Sequence, residues 1–377
     1  MSPGLVAPIQ QHKVLVTVGA GGVGKTSTAA AVGLLGARLG RRTLVMTIDP
    51  ARRLAASLGL ADLDHQQRAV PADKMAAAGL RPELLYAMML DQKATFDELI
   101  RRQARDEEDV RRVMANKLYH ELSTRLAGGQ EYAAMEKLHE LTEAGSYELV
   151  VLDTPPTANA LDFLDAPRKM VDMVDSPAVS MFLRTYRAAG RFSFKLLSAG
   201  ASLIFRRLSR FLGGEFLDDI AQFFADMQGL LEGFRDRANK VIELLSRDDV
   251  GFVIVTSPDP RAIDEAIALF DRLEKSRMST VGIVVNRVHA LRPVAIDEPG
   301  LAAALQALGA SAEHAAALAP RALASHRDMQ LLAEVDAQEI ARLKAHCGLQ
   351  LGYTEVPLFD EDIYDMAGLT KLGQYLA

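Results

Sequence analysis

The chain has 377 residues, 49% of them apolar and 24% charged, with a net charge of −6. That is the balance of a folded globular protein with ample core, large enough for one big domain carrying an insertion or for two domains. The acidic excess argues against nucleic-acid binding, and the lone cysteine, Cys347, excludes an intrachain disulfide and a paired Cys/His zinc site, which leaves an inert packed or surface thiol.

The opening segment MSPGLVAPIQQHK has no apolar core of signal-peptide length, and no uncharged apolar stretch reaches the roughly 18 residues needed to cross a bilayer. Cytoplasmic residence is the expectation. The first predicted strand is Val14 to Val18. It runs into Gly19-Ala20-Gly21-Gly22-Val23-Gly24-Lys25-Thr26 and then into an alanine-rich helix, Ser27 to Leu39. The pattern G-x-x-x-x-G-K-[ST] arises by chance in a chain this long with a probability on the order of one per cent at average residue usage, and its placement between strand and helix lowers that further. Such a loop cradles phosphates. Its glycines let backbone N–H groups close round the anion, the helix N-terminus adds its positive end, Lys25 reaches the β and γ phosphates, and Thr26 offers Mg²⁺ a hydroxyl. Gly19, Gly21, Gly22, Val23, Gly24, Lys25, Thr26 and Ser27 are therefore the expected contacts of ATP.

A second strand, Thr43 to Ile48, ends in Asp49-Pro50-Ala51-Arg52-Arg53. A third, Leu149 to Leu152, ends in Asp153-Thr154-Pro155-Pro156-Thr157. Asp-Pro and Asp-Thr-Pro are ordinary turn starters, but an aspartate at a strand's C-terminal end beside a phosphate loop lies where Mg²⁺ and the attacking water are organised. Asp153, after four apolar residues, suits the acidic partner of Mg²⁺. Asp49, in a proline-containing turn, suits the group that positions water. Between these strands, Lys93 to Ala144 reads as charged helices broken at Gly128 and Gly129, with no strand.

From about Leu161 to Arg247 the pattern is again all helical. Phe216, Ile220, Phe223, Met227, Leu230, Phe234, Ala238, Val241 and Leu245 recur at three- and four-residue steps, which predicts one long amphipathic helix. Ahead of it, 176–214 holds no acidic residue, yet seven bases (Arg184, Arg187, Arg191, Lys195, Arg206, Arg207, Arg210) interleave with Phe194, Leu197, Ile204, Phe205 and other large apolar side chains. That mixture suits a hydrophobic helical client or an anionic membrane surface, with Met170, Met173 and Met181 as an adaptable lining. The plainer alternative pairs the bases with acids of the Lys93 to Ala144 helices.

Strands Phe252 to Thr256 and Val281 to Val285 follow. The alternation of strands and helices predicts an α/β fold: a doubly wound, mostly parallel sheet of the P-loop NTPase type with a helical insertion, and ligands at the strands' C-terminal ends. The expected organisation is a first core part over 1–160 with a helical excursion at about 93–145, an insertion subdomain over 161–248, and a second core part over 249–377. The C-terminal stretch sets Asp360, Glu361, Asp362 and Asp365 against the single base Lys371.

GAGGVGKT, IDPARRL and LDTPPTANALDFL resemble the deviant P-loop ATPases of the ArsA family, which includes the arsenite-pump ATPase and the guided-entry ATPases that carry tail-anchored membrane proteins. Gly129-Gln130-Glu131-Tyr132, Met135 to Leu138 and Ile283 to Val288 resemble its bacterial branch of anion-transporting ATPases. The resemblance covers nearly the whole chain. It implies an Mg²⁺-dependent ATPase working as a homodimer or as a heterodimer with a paralogue. It also implies that Asp49 orients the water, Asp153 begins the second switch, Asn286 reads adenine after its strand, and Pro357 with Leu358 packs on the base. Three features depart from the family. Its signature lysine is Ala20 here, which leaves Arg52, Arg53 or a partner chain to supply a charge in trans; the dimer-bridging CxxC is absent; and the soft thiolates that arsenite needs are missing.

Three functions remain open from sequence: an ATP-gated carrier of hydrophobic membrane-protein clients, a ParA- or MinD-type positioning ATPase, and a weakly active regulatory subunit of a heterodimer. The helical insertion favours the first, the acidic C-terminus disfavours a MinD-like basic anchor, and Ala20 keeps the third alive.

Overall fold

The computed structural model describes residues 4–48, 53–126, 128–154, 160–177, 223, 227, 230–290 and 297–377. All five expected strands form, as β1 (Val14–Val18), β2 (Thr43–Thr47), β5 (Leu149–Asp153), β6 (Val250–Thr256) and β7 (Thr280–Val288). Three strands that the sequence did not announce join them: β3 (Arg68–Ala69), β4 (Leu85–Met89) and β8 (Tyr353–Pro357). The order across the sheet is β3-β4-β2-β5-β1-β6-β7-β8, and every neighbouring pair is parallel except β3 with β4. The chain leaves the central β1 first toward β2 and later toward β6, a reversal that opens a crevice at the strands' C-terminal ends.

The strands are continuous apolar runs because both faces are covered. Val14, Val16 and Val18 of β1 enter one hydrophobic cluster while Leu15 enters the other. Phe252 and Ile254 of β6 likewise oppose Val253 and Val255. On the second face lie α1 (Val6–Gln11), α2 (Lys25–Arg38), α3 (Arg53–Ser57), α4 (Ala72–Ala77) and the C-terminal α14 (Met366–Leu376). α14 buries Met366, Leu369, Leu372 and Leu376, so its apolar side is core.

The first face is built by the helical excursion, which reads as the charged pattern implied: α5 (Gln92–Gln103), α6 (Glu107–Ala115), α7 (Lys117–Arg125) and α8 (Gly129–Ala144). Asp91, Asp106 and Asn116 cap the first three, each side chain accepting amide hydrogens of the opening turn. The expected break falls at Gly128, a left-handed residue before α8.

α9 (Ala160–Val174) and α10 (Leu231–Leu245) flank the insertion, and both feed the same cluster as α8 through Phe163, Met170, Phe234, Ala238, Val241 and Leu245. Met170 is thus core rather than a client lining, whereas Met173 is exposed and Met181 lies outside the described residues. Phe223, Met227 and Leu230 continue the buried stripe, but the helix is not one piece: Leu230 is a turn whose N–H reaches Met227 O at 2.8 Å, and α10 starts after it. Phe216 and Ile220, like 178–214, lie outside the described residues.

The second core part adds α11 (Pro260–Lys275), α12 (Glu298–Ala307) and α13 (Ala312–Cys347). Asp259, Asp297 and Ser311 are their N-caps. Among the described residues no helix is long and apolar enough to cross a membrane.

α10 is a core helix, with Phe234 stacked on Phe96 of α5 at a centroid distance of 6.4 Å. Phe234→Ala therefore lowers the unfolding free energy by about 3 kcal/mol or more, read from guanidinium midpoints; a shift near zero means that α10 does not pack as described.

Candidate functional site

The loop between β1 and α2 is built from sequence-local constraints. Gly19 takes φ +155°, and a Cβ there would lie 2.0 Å from Val255 O on β6, so only glycine lets the loop leave the sheet so close to its neighbour. Gly24 takes φ +98°, left-handed, immediately before the first residue of α2. Over the same loop a Cβ added at Gly21 or Gly22 meets nothing within 4 Å. An anion has room there.

Lys25 is buried, and its Nζ donates to Gly19 O at 2.8 Å and Ala20 O at 2.7 Å. The ammonium folds the loop round itself. Thr26, one residue on, donates its hydroxyl to Asp153 Oδ2 at 2.7 Å. Asp153 is fully buried at the end of β5, and Thr47, opposite it in the parallel register with β2, donates to the same oxygen at 2.8 Å. On the other flank Thr154 Oγ1 donates to Thr17 O of β1 at 2.7 Å. A carboxylate buried this deeply is tolerable only with such donors.

Hydroxyl and carboxylate oxygens at a helix N-terminus are the hard ligands that Mg²⁺ takes alongside substrate phosphates, so Thr26 and Asp153 fit the metal expected of them. Thr47 was not singled out from sequence; only the register that sets it against Asp153 reveals it. Asp49 lies outside the described residues. The carbonyl of Ile48, just before it, accepts a hydrogen bond from Gln130 Nε2 at 2.9 Å, which ties the start of α8 to the end of β2. Nothing in the local sequence signals that contact.

Asn286 sits within β7 rather than after it. Its Nδ2 donates to Val23 O of the phosphate loop at 2.9 Å. Pro357 ends β8 opposite Val288 of β7, and the Leu358 N–H donates to Val288 O at 2.9 Å. The Leu358 side chain is 47% exposed. Asn286, Pro357 and Leu358 thus lie on adjacent strand ends, and of the three Asn286 is the one seen to touch the loop. Ser27 is half-buried in the first turn of α2. Cys347 is buried at the end of α13, and burial pushes its thiol up to about 11, which keeps it from the thiolate form that reacts and binds soft metals.

Sheet order, phosphate loop and the Thr26–Asp153 pair define a P-loop NTPase. The profile of the family described as anion-transporting ATPase matches residues 12–295, most of the chain, and the chain belongs to that family. Among similar proteins are "ATPase GET3" of Podospora anserina (24% identical, covering 78% of this chain and 78% of that protein) and "ATPase ASNA1 homolog 1" of Paramecium tetraurelia (25% identical, 74% and 76%). A "Putative arsenical pump-driving ATPase" of Halobacterium salinarum is 31% identical over 45% of this chain, but the match spans only 26% of that protein's length.

Thr47→Val withdraws a hydroxyl from a buried carboxylate, and it destabilises the fold by about 1–3 kcal/mol in chemical denaturation. Wild-type stability in this variant contradicts the role given to Thr47.

Proposed function

We propose that the chain is an Mg²⁺-dependent ATPase that works as an ATP-gated dimer and carries hydrophobic membrane-protein clients in the cytoplasm. The observation that supports the catalytic part is the Thr26–Asp153–Thr47 cluster at the mouth of the phosphate loop. In this reading the loop's N–H groups and Lys25 hold the β and γ phosphates of ATP, Lys25 exchanging the carbonyls of Gly19 and Ala20 for phosphate oxygens. Asp49 orients water for attack on the γ phosphorus, and Gln130 steadies the strand end that leads to it. Thr26 and Asp153 hold Mg²⁺, which supplies charge neutralisation on the phosphate oxygens. Asn286 contacts adenine, and Pro357 with Leu358 packs on the ring.

The dimer and the client rest on the relatives named for GET3 and ASNA1 and on the basic, apolar composition of 176–214. The insertion flanked by α9 and α10, helical by its sequence pattern, favours this reading over a MinD-like positioning ATPase. The regulatory-subunit reading keeps one support, Ala20 in place of the family's lysine, since a charge reaching across a dimer contributes several orders of magnitude in rate.

Two variants separate binding from chemistry. Lys25→Ala abolishes productive ATP binding, whereas Asp49→Asn leaves affinity intact and removes turnover, because lysine acts on ground-state charge and aspartate on the attacking water. Unchanged turnover in Asp49→Asn removes Asp49 from the mechanism. For the client surface, Phe194, Leu197, Ile204 and Phe205 are changed to serine together. Loss of liposome or helical-peptide binding with ATP binding and Tm retained is expected; a large drop in Tm shows that these side chains are core and sinks the idea.

A further inference from the structure

We propose that Asn286 is a positioning residue of the phosphate loop, one that acts on bound phosphates whatever base they carry. The inference rests on the nucleotide reading above and extends it, since that reading gives Asn286 only a contact with adenine.

The side-chain amide of Asn286 is engaged at both ends. Nδ2 donates to Val23 O at 2.9 Å, 263 positions away in sequence, and Oδ1 accepts from the N–H of Arg287 at 3.0 Å. Arg287 itself adopts φ +62°, the left-handed region that a non-glycine side chain enters at a cost of the order of 1 kcal/mol. The strand bends just after Asn286, where its register with β8 also shifts. β7 is two strands from β1, across β6, so the amide reaches over a neighbouring strand end to touch the loop. Gly24 completes the fit: a Cβ there would stand 2.3 Å from Asn286 Nδ2. The glycine before Lys25 is required by its own left-handed φ and by Asn286 lying against it.

The consequence follows from the planarity of the peptide bond. In the trans peptide that joins Val23 to Gly24, the C=O and the N–H point in opposite directions. Holding Val23 O toward Asn286 turns the Gly24 N–H away from Asn286, toward the side on which the loop receives phosphate. Lys25 follows directly. Asn286 thus sets the orientation of one anion-binding amide and of the residue that carries the ammonium. Preorganising such donors spares the loop the cost of ordering when the anion arrives.

Binding is measured by calorimetry for wild type and Asn286→Ala with three probes: ATP, GTP and inorganic tripolyphosphate, each with Mg²⁺. The brace predicts that tripolyphosphate and GTP each weaken by about fivefold, the worth of one neutral hydrogen bond, and ATP by at least as much. The KM for ATP rises by the same factor as its dissociation constant, because ground and transition states lose the same interaction. In the nucleotide-free protein, amide exchange speeds up over residues 19–26 and not over β7 or the far side of the sheet. A loss confined to ATP, with tripolyphosphate binding unchanged, leaves base reading alone and overturns the proposal. So does unchanged exchange in the loop, and so does a general fall in Tm with faster exchange throughout, which marks a merely structural residue. If the wild-type chain binds none of the three probes, the nucleotide reading fails by itself, and the exchange measurement still judges the brace.

Discussion

The site depends on one buried oxygen. Asp153 Oδ2 accepts hydroxyl hydrogens from Thr26 and Thr47, and its carboxylate stands at the end of a fully buried strand. Removing a charge from water in this way is costly unless donors replace the solvent. Those donors have to arrive from separate elements, the first turn of α2 and the end of β2. A shift of β5 by one residue against β2 would turn Asp153 to the other face. The parallel register Thr47↔Asp153 and the start of α2 at Lys25 are thus held to one arrangement. The phosphate loop lies between them.

From that point the geometry spreads to both layers. On one side, Lys25 closes the loop on its own carbonyls, while α2 carries the loop's C-terminal end into the second cluster beside α14. On the other side, α8 begins at the end of β2 through Gln130 and, about two turns later, meets α10 through an ion pair between the buried Glu136 and the half-buried Arg237. One rigid helix therefore touches both the strand end before Asp49 and a helix flanking the insertion. Burial of Glu136 is acceptable because the guanidinium of Arg237 lies against it.

Much of this was legible in the sequence, for a physical reason: strands buried on both faces must be continuous apolar runs, and a phosphate loop has a steric code of its own. β1, β2, β5, β6 and β7 carry that signature, and so do Lys25, Thr26 and Asp153. The strands toward the two edges do not. β4, Leu-Tyr-Ala-Met-Met, has no β-branched residue, β8 carries Thr and Glu at an open edge, and β3 is two residues long; their pairing is decided by neighbours rather than by local propensity. The contacts of Thr47 with Asp153, Gln130 with Ile48 and Asn286 with Val23 escaped notice because each joins residues far apart in sequence with no periodicity to betray it. The interrupted helix at Leu230 was misread because the buried stripe runs through the turn without a break. Asp49 and 178–214, to which the proposed function assigns hydrolysis and client handling, lie outside the described residues.

In the function proposed above, Thr26 and Asp153 form, beside the phosphate loop, the place where Mg²⁺ meets the phosphates of ATP. Calorimetric titration of the wild-type chain with ATP, once with Mg²⁺ and once with EDTA, tests it most directly. The account predicts clearly tighter binding with Mg²⁺ in the wild type and no gain from Mg²⁺ in Asp153→Asn. Equal affinity with and without the metal in the wild-type chain, or an undiminished Mg²⁺ gain in the variant, would contradict it.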